Sequence, residues 1–307
     1  MSDFLFSIIT PTYNRAHSLG RVYRSICSQT CQDFEWVIVD DGSTDNTSEL
    51  IAGWIEEDLI SIQPLVKENG GKADALNHGV SVARGEMLII LDSDDELTID
   101  ALAVMIFAWN EIPSSERSDF IGVTGLCENQ SGDLVGSEFP HDSLDSNAIE
   151  VKYKFKLEGE KFGFQRIDII KQNPFPVLSD HSHVPEGIYW GMLARRFKTR
   201  YINKIVRIYH QSKVNDSLTN ICDPGSLAEG NRLWHQFILN EEIPWLTSCL
   251  SCFVISAIHY SRFSFHVQKG ALEQIKSLEN LSAKTLVTLF AIAGYLVYKR
   301  DLLRMSE

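Results

Sequence analysis

Residues 88–96 read LIILDSDDE. An apolar run stops abruptly, and four of the five residues that follow it are acids. Carboxylates crowded at one point repel, so the cluster costs stability unless it is solvated or meets a positive charge. Two other polar clusters follow apolar runs in the same way. PTYNR (11–15) comes after FLFSIIT, and DDGSTD (40–45) comes after FEWVIVD. The first of these turns holds neither G-x-G-x-x-G nor G-x-x-x-x-G-K-S/T, so a glycine cradle for phosphate at a helix start is missing. A nucleotide bound here needs another counter-charge. Asp92 and Asp94 can meet a diphosphate only through a hard divalent cation, Mg²⁺ or Mn²⁺, which favours one or two carboxylates plus phosphate oxygens. Tyr13 then suits stacking on a base, and Asp41 suits accepting a hydrogen bond from a base edge. Lys72, in NGGKADALN, could reach a phosphate, with Gly70 and Gly71 permitting close backbone approach. Each feature alone has a plainer reading: a solvated strand end for D-x-D, a capped turn for DDGSTD, a core ring for Tyr13.

The elements that must carry these clusters are legible as alternating periodicities. FLFSIIT, FEWVIVD, LISIQPLV and EMLIILD are short apolar runs that read as buried strands, the third toward an edge because of Pro64. Between and after them lie helical patterns. The first turns Leu19, Val22, Tyr23 and Ile26 to one face, and the second Leu50, Ile51, Trp54 and Ile55. The third turns Ala73, Leu76, Val80 and Ala83 inward, with Gly85 as its stop; TIDALAVMIFAWNEI supplies the fourth. Such alternation means an open parallel sheet covered on both faces. In such sheets ligands sit at the carboxyl ends of the strands, where all three polar clusters fall.

From about 120 to 215 the pattern loosens. FIGVTGL reads as a strand, SEFPHDSLDSN as loop, a helix starts near Glu186, and RYINKIVRIYH reads as a strand pair. The tail holds two uncharged runs, 243–261 and 285–298. The second is too short to span a bilayer and the first is marginal. Packed helices, a helix lying in a membrane surface and a true span remain open for this region.

Apolar residues make up 44% and charged residues 22% of the 307, ordinary for a globular protein long enough to bury a sizeable core. The net charge of −13 and the lack of a Lys/Arg stripe argue against nucleic acid as partner. Cys249 and Cys252 form a lone C-x-x-C without the second ligand pair a zinc site requires; a redox pair is the alternative, but in an apolar, helical stretch buried structural thiols are expected. An acid stands in MSDFLFSIIT where a signal peptide carries basic residues, and cytoplasmic placement is expected.

Taken together, SIITPTYNR, DFEWVIVDDGSTDNT, NGGKADALNHGVSVARGEMLIILDSDDEL and VPEG resemble glycosyltransferase family 2, with its GT-A fold, over roughly residues 5–215. The resemblance implies a Rossmann-like, mostly parallel α/β sheet with helices on both faces and a helical C-terminal extension. It divides the chain into a nucleotide-sugar half (1–110), an acceptor and catalytic-base half (111–215) and the extension (216–307). It implies inverting transfer of one sugar from a nucleotide-sugar, usually UDP-linked, with Mn²⁺ or Mg²⁺. The acceptor expected is a glycan or a polyprenyl-diphosphate-linked glycan of the bacterial surface type. Pro11 and Tyr13 match positions flanking the base, Asp41 the base-binding carboxylate, and Lys72 the segment near the diphosphate. Asp92 matches the first DxD position and Asp94 the metal ligand. The general base corresponds to Glu186, although the family's usual second acid is Gly187 here; Asp180 is the alternative. His210 corresponds to a further metal ligand. A Q-x-x-R-W signature of processive synthases is not found, which favours single-sugar addition. Competing readings are a GT-A-like binder without turnover and a haloacid-dehalogenase-like phosphatase, whose motif would not carry Glu96 at its position.

Overall fold

The computed structural model describes residues 3–177, 184–210, 225 and 227–305. In chain order the elements are β1 (Phe4–Thr12), α1 (Ala16–Cys27), β2 (Phe34–Asp40), α2 (Thr47–Glu57), β3 (Ile62–Val66), α3 (Lys72–Val82), β4 (Gly85–Ile90), β5 (Glu96–Leu97) and α4 (Ala101–Asn110). Then come β6 (Phe120–Asn129), β7 (Ser143–Ser146), α5 (Ala148–Tyr153), β8 (Lys161–Arg166), α6 (Ile167–Gln172), α7 (Glu186–Ala194) and β9 (Lys198–Tyr209). The chain ends with α8 (Ala228–Glu241), α9 (Leu250–His266), α10 (Ala271–Lys276) and α11 (Leu281–Met305). Two compact units result: residues 1–175 with 193–211, and residues 176–192 with 212–307.

The first unit holds one mixed sheet, nine-stranded among the described residues, in the order β3-β2-β1-β4-β8-β6-β9-β5, with β7 also paired to β9. β3, β2, β1 and β4 are parallel. Beyond β4 the sheet turns mixed: β8 runs antiparallel to both β4 and β6, and β6 runs parallel to β9. All seven residues of β2 are buried, as a strand covered on both faces requires. One face packs Phe34, Trp36 and Ile38 with Leu19, Val22, Ile26 and Trp54. On the other, α3 closes on β1 and β2 at Gly79, where a Cβ would lie 2.8 Å from Ile9 and 3.0 Å from Val39.

Several sequence expectations need correction. Gly85 opens β4 instead of merely stopping α3, because any Cβ there would meet the Ser7 backbone at 2.5 Å. Ile55 is exposed and only Ile51 and Trp54 of its group are fully buried. SEFPHDSLDSN is not all loop, since β7 lies within it and pairs with β9. RYINKIVRIYH is one long strand, not a pair; it bends past β6 through register shifts. β8 carries no strong alternation in sequence and was hidden, because it is held by two neighbours rather than by its own pattern.

The second unit is helical among its described residues. Cys249 and Cys252 are not free thiols but a disulfide, with Cα atoms 5.4 Å apart. Cys249 precedes α9 and Cys252 lies in its first turn, so one helical turn sets the sulfurs side by side. α11 is longer than its uncharged stretch: Lys284 and Lys299 sit inside a continuous 25-residue helix. By length and composition it could cross a membrane, which corrects the reading of 285–298 as too short. Gly294 brings it against α9, where a Cβ would lie 2.5 Å from Ser261. Asp301, nearly buried, accepts from Arg262 Nη2 at 2.9 Å and pairs with His266 Nε2 at 3.1 Å. Burial works to raise the Asp301 carboxyl, but the Arg262 and His266 hydrogen bonds hold it below the usual range.

Glu35 is fully buried and ties three strands: it accepts from Ser7 Oγ (2.7 Å) and the Arg84 N–H (2.6 Å), while Gly85 N–H donates to Ser7 Oγ (2.8 Å). Glu35→Ala leaves those donors unmatched and should lower the urea-unfolding free energy by about 3 kcal/mol; a loss below about 1 kcal/mol would show that they find other partners. Asp301 has a depressed native pKa, so its stabilisation is present above the unfolded value of about 3.9 and is lost as pH falls through the native one. Asp301→Asn should therefore lower the melting temperature at neutral pH, and its gap from wild type should narrow in thermal scans as pH falls below the unfolded value of about 3.9.

Candidate active site

The strand register puts three loops on one sheet edge. Thr12 is opposite Asp40, Asp40 is opposite Val66, and Ile9 is opposite Ile90. Asn14 then locks the first loop to the second. It takes a left-handed φ of 54°, accepts from Thr44 N–H (2.8 Å) on its side chain, and donates its backbone N–H to Ser43 Oγ (2.8 Å). Asp45 holds the start of α1 by accepting from Ala16 N–H at 3.1 Å. Asp40 is spent inside the loop, accepting from Ser43 N–H (2.8 Å) and Ser48 Oγ (3.0 Å). Asp41, 4% exposed, accepts from Lys67 Nζ (2.7 Å) and Gly70 N–H (2.9 Å) on Oδ1, and from Gly71 N–H (2.8 Å) on Oδ2. The two glycines thus turn their N–H groups to Asp41, and Gly71 needs its φ of 85° to do so. Tyr13 is 47% exposed and is not a core ring; Pro11 beside it is half-buried.

The DSDDE loop follows β4 and is clamped from several sides. Ser18 Oγ donates to Ser93 O (3.0 Å) and Arg21 Nη1 to Asp94 O (2.7 Å), both from α1. β5, formed by Glu96 and Leu97, pairs antiparallel with Ile208 and Arg207 of β9. Asp95, 1% exposed, accepts the His210 backbone N–H (3.0 Å) and faces Arg207 Nη1 at 3.3 Å. Burial pushes the Asp95 carboxyl up to about 7, even against Arg207. The His210 ring meets Glu96 through Nε2 at 2.7 Å. Lys72 Nζ lies 2.7 Å from Asp92 Oδ1. Burial would raise Asp92, but the Lys72 cation reverses this and holds it below the usual carboxylate range. The half-buried Asp94 carboxylate has no hydrogen-bond or ion-pair partner among the described residues.

The structure therefore places Tyr13, Asp41, Asp92, Asp94 and His210 on loops after strands of the first unit, and Lys72 at the start of α3. It also assigns Asp95 and Glu96 to holding the loop. Among the described residues no three His, Cys, Asp or Glu side chains converge as a ready cation cage. One open carboxylate beside a second, lysine-paired one is nevertheless a set of hard oxygen donors, of the kind that binds Mg²⁺ or Mn²⁺ jointly with phosphate. Sequence reading missed Lys67, Arg21 and Arg207. They lie 26 to 112 residues from the acids they serve, and nothing local marks them.

Glu186 belongs to the second unit and opens α7, half-buried, as the acid of its first turn. The glycine after it has a packing cause: a Cβ at Gly187 would lie 2.6 Å from the Trp234 ring, and one at Gly191 2.6 Å from the Phe237 ring. Trp234 and Phe237 stack at 6.1 Å, so α7 seats on α8 only through small residues, and a second acid at 187 has no room. Asp180 lies outside the described residues.

Residues 7–124 match the model of the family described as Glycosyl transferase family 2. A Campylobacter jejuni GalNAc(5)-diNAcBac-PP-undecaprenol beta-1,3-glucosyltransferase is 28% identical over 218 residues, 69% of this chain and 66% of that protein. The chain thus spans just under two thirds of that relative's length. Among solved structures, Staphylococcus aureus TarS 1-349 in complex with UDP-GlcNAc aligns with a TM-score of 0.61 at 17% identity, covering 98% of this chain and 92% of that one. The mannosyltransferase PcManGT from Pyrobaculum calidifontis, in complex with GDP-Man and Mn²⁺, aligns with a TM-score of 0.51 at 17% identity, covering 98% and 90%. These likenesses show the GT-A fold, with its C-terminal helical part.

Asp95→Ala leaves the buried Arg207 with Glu160, 3.0 Å from its Nη2, as its remaining carboxylate among the described residues, and should cost about 2 kcal/mol in urea unfolding. Hydrogen exchange localises the effect: the His210 amide should lose protection while the amides of β1 and β2 keep theirs. Unchanged His210 protection would show that the clamp does not depend on Asp95.

Proposed function

We propose that this chain, which belongs to glycosyltransferase family 2, is an inverting glycosyltransferase that moves one sugar from a UDP-linked donor to a hydroxyl of a glycan. The acceptor it suits is carried on a polyprenyl diphosphate, at the cytoplasmic face of a membrane. One observation carries the reading. An exposed aromatic, a buried carboxylate and an unpartnered carboxylate follow three adjacent strand ends of one sheet, where nucleotides bind in such folds.

Tyr13 stacks on the base, with Pro11 walling its other side. Asp41 is held rigid by Lys67 and two backbone donors, yet Oδ2 takes one donor only among the described residues, leaving capacity for a base N–H. Asp94 and Asp92 would hold a divalent ion with the diphosphate, and His210 would join them by leaving Glu96. When bound, such an ion offsets the charge of the diphosphate leaving group. Lys72, 2.7 Å from Asp92, supplies a cation to the acid cluster and would face a phosphate oxygen of the donor. Glu186 takes the proton from the acceptor hydroxyl as its oxygen attacks the anomeric carbon. The new C–O bond forms as the bond to the diphosphate breaks, and UDP departs with that electron pair; attack opposite the leaving group inverts the anomeric centre.

UDP with Mn²⁺ should raise the melting temperature, and EDTA should abolish the shift. Absence of a shift with any nucleoside diphosphate would sink the proposal. Glu186→Gln should keep the shift and lose about 10²–10⁴-fold in turnover, whereas Asp94→Asn should lose the metal-dependent part of the shift. Full turnover by the Glu186 variant would move the base elsewhere.

A further inference from the structure

The outward face of α11 shows Leu281 (79% exposed), Leu289 (68%), Ile292 (74%), Leu296 (63%) and Leu303 (67%), with Tyr295 at its flank. Their spacings of three, four, seven and eight place them along one side of the helix. Side chains this apolar, this exposed and this contiguous mark an interaction surface. The opposite side is used up. Ala283, Leu286, Val287, Gly294 and Asp301 are buried within the second unit.

The charges say what covers the open face. Lys284, Lys299, Arg300 and Arg304 lie on α11 against a single acid, Asp301, in a chain whose net charge is −13. That acid is buried and bound to Arg262 and His266, so it offers nothing to an outside cation. Lys299, Arg300 and Arg304 are exposed, at the end where Lys299 lies over the Tyr295 and Tyr298 rings. A second copy of α11 would bring no acid to meet these cations in either orientation. Anionic lipid headgroups would, and apolar side chains with a cationic and aromatic rim suit the boundary between headgroups and acyl chains.

Length alone would also allow a span: 25 residues rise about 37 Å. The inner face rules against it. A spanning α11 would draw Asp301, and with it Arg262 and His266 of α9, into hydrocarbon, where ionised groups are costly.

We infer that α11 lies in the surface of an anionic membrane, with the face from Leu281 to Leu303 sunk to the acyl boundary and Lys299, Arg300 and Arg304 on the headgroups. The inference deepens the proposed function and rests on its lipid-linked acceptor for its purpose, but the binding itself needs no catalysis. Flotation of the full-length chain with phosphatidylcholine vesicles, with or without phosphatidylglycerol, tests it. Expected are strong flotation with the mixed vesicles, weak flotation with phosphatidylcholine alone, and release by alkaline carbonate. Ile292→Glu with Leu296→Glu should cut the bound fraction at least tenfold. Lys299→Gln with Arg300→Gln should do so only for the anionic vesicles, at about fivefold per charge. UDP-dependent thermal shifts should stay intact in both variants, which separates loss of the face from misfolding and from failure of the catalytic reading. Resistance to carbonate would overturn the inference in favour of a span. No flotation, with a dimer in gel filtration that the Glu variant splits, would overturn it in favour of a second copy.

Discussion

Four acids at the end of one strand are the constraint around which the first unit is arranged. Each is met differently. Lys72 faces Asp92, Arg207 faces Asp95, and the His210 ring and Arg21 face Glu96, while Asp94 meets no partner among the described residues. The cations come from α3, β9 and α1, so the loop's charges are met only through the packing of those elements. Most of the cluster is thus neutralised by protein groups, and among the described residues one carboxylate is left unclaimed. The same placement explains why two short strand residues, Glu96 and Leu97, pair with β9: they hold the far end of the loop in register.

The loops after β1 and β2 are built on the same economy of donors. Asp41 is buried, and its charge is balanced by Lys67 and by two glycine N–H groups. Asn14 links PTYNR to DDGSTD so that the first two loops move as one body. Tyr13 stays exposed beside them, as do Thr44 and Asp45. The second unit answers a different demand. α7 must seat its first turn against Trp234, and that packing sets Gly187 after Glu186. α11 divides itself between a buried side anchored by Asp301 and an apolar side with cations at its end.

Much of the first unit was legible in the residues because periodicity is local. Apolar runs of strand length and helical spacings such as Leu19, Val22, Tyr23 and Ile26 specify α/β alternation, and the polar clusters right after those runs specify the binding edge. The second half of the sheet was not legible. β8 and β7 owe their pairing to neighbours distant in sequence, and a mixed sheet lacks the strand–helix rhythm of a parallel one. The partners of the acids were hidden for the same reason: Lys67, Arg21 and Arg207 are ordinary cations until the fold places them.

By itself, then, the sequence determined which groups are present: a cluster of acids after one strand, polar turns after two others and an acid opening a helix, each carried by residues a few positions apart. Tertiary structure alone decided how those groups are held: which acids are spent on the scaffold, that Asp94 meets no partner among the described residues, that Cys249 and Cys252 are joined, and that one side of α11 remains uncovered. Local spacing sets which side chains share a strand end or a helix face; long-range packing sets which of them find a partner.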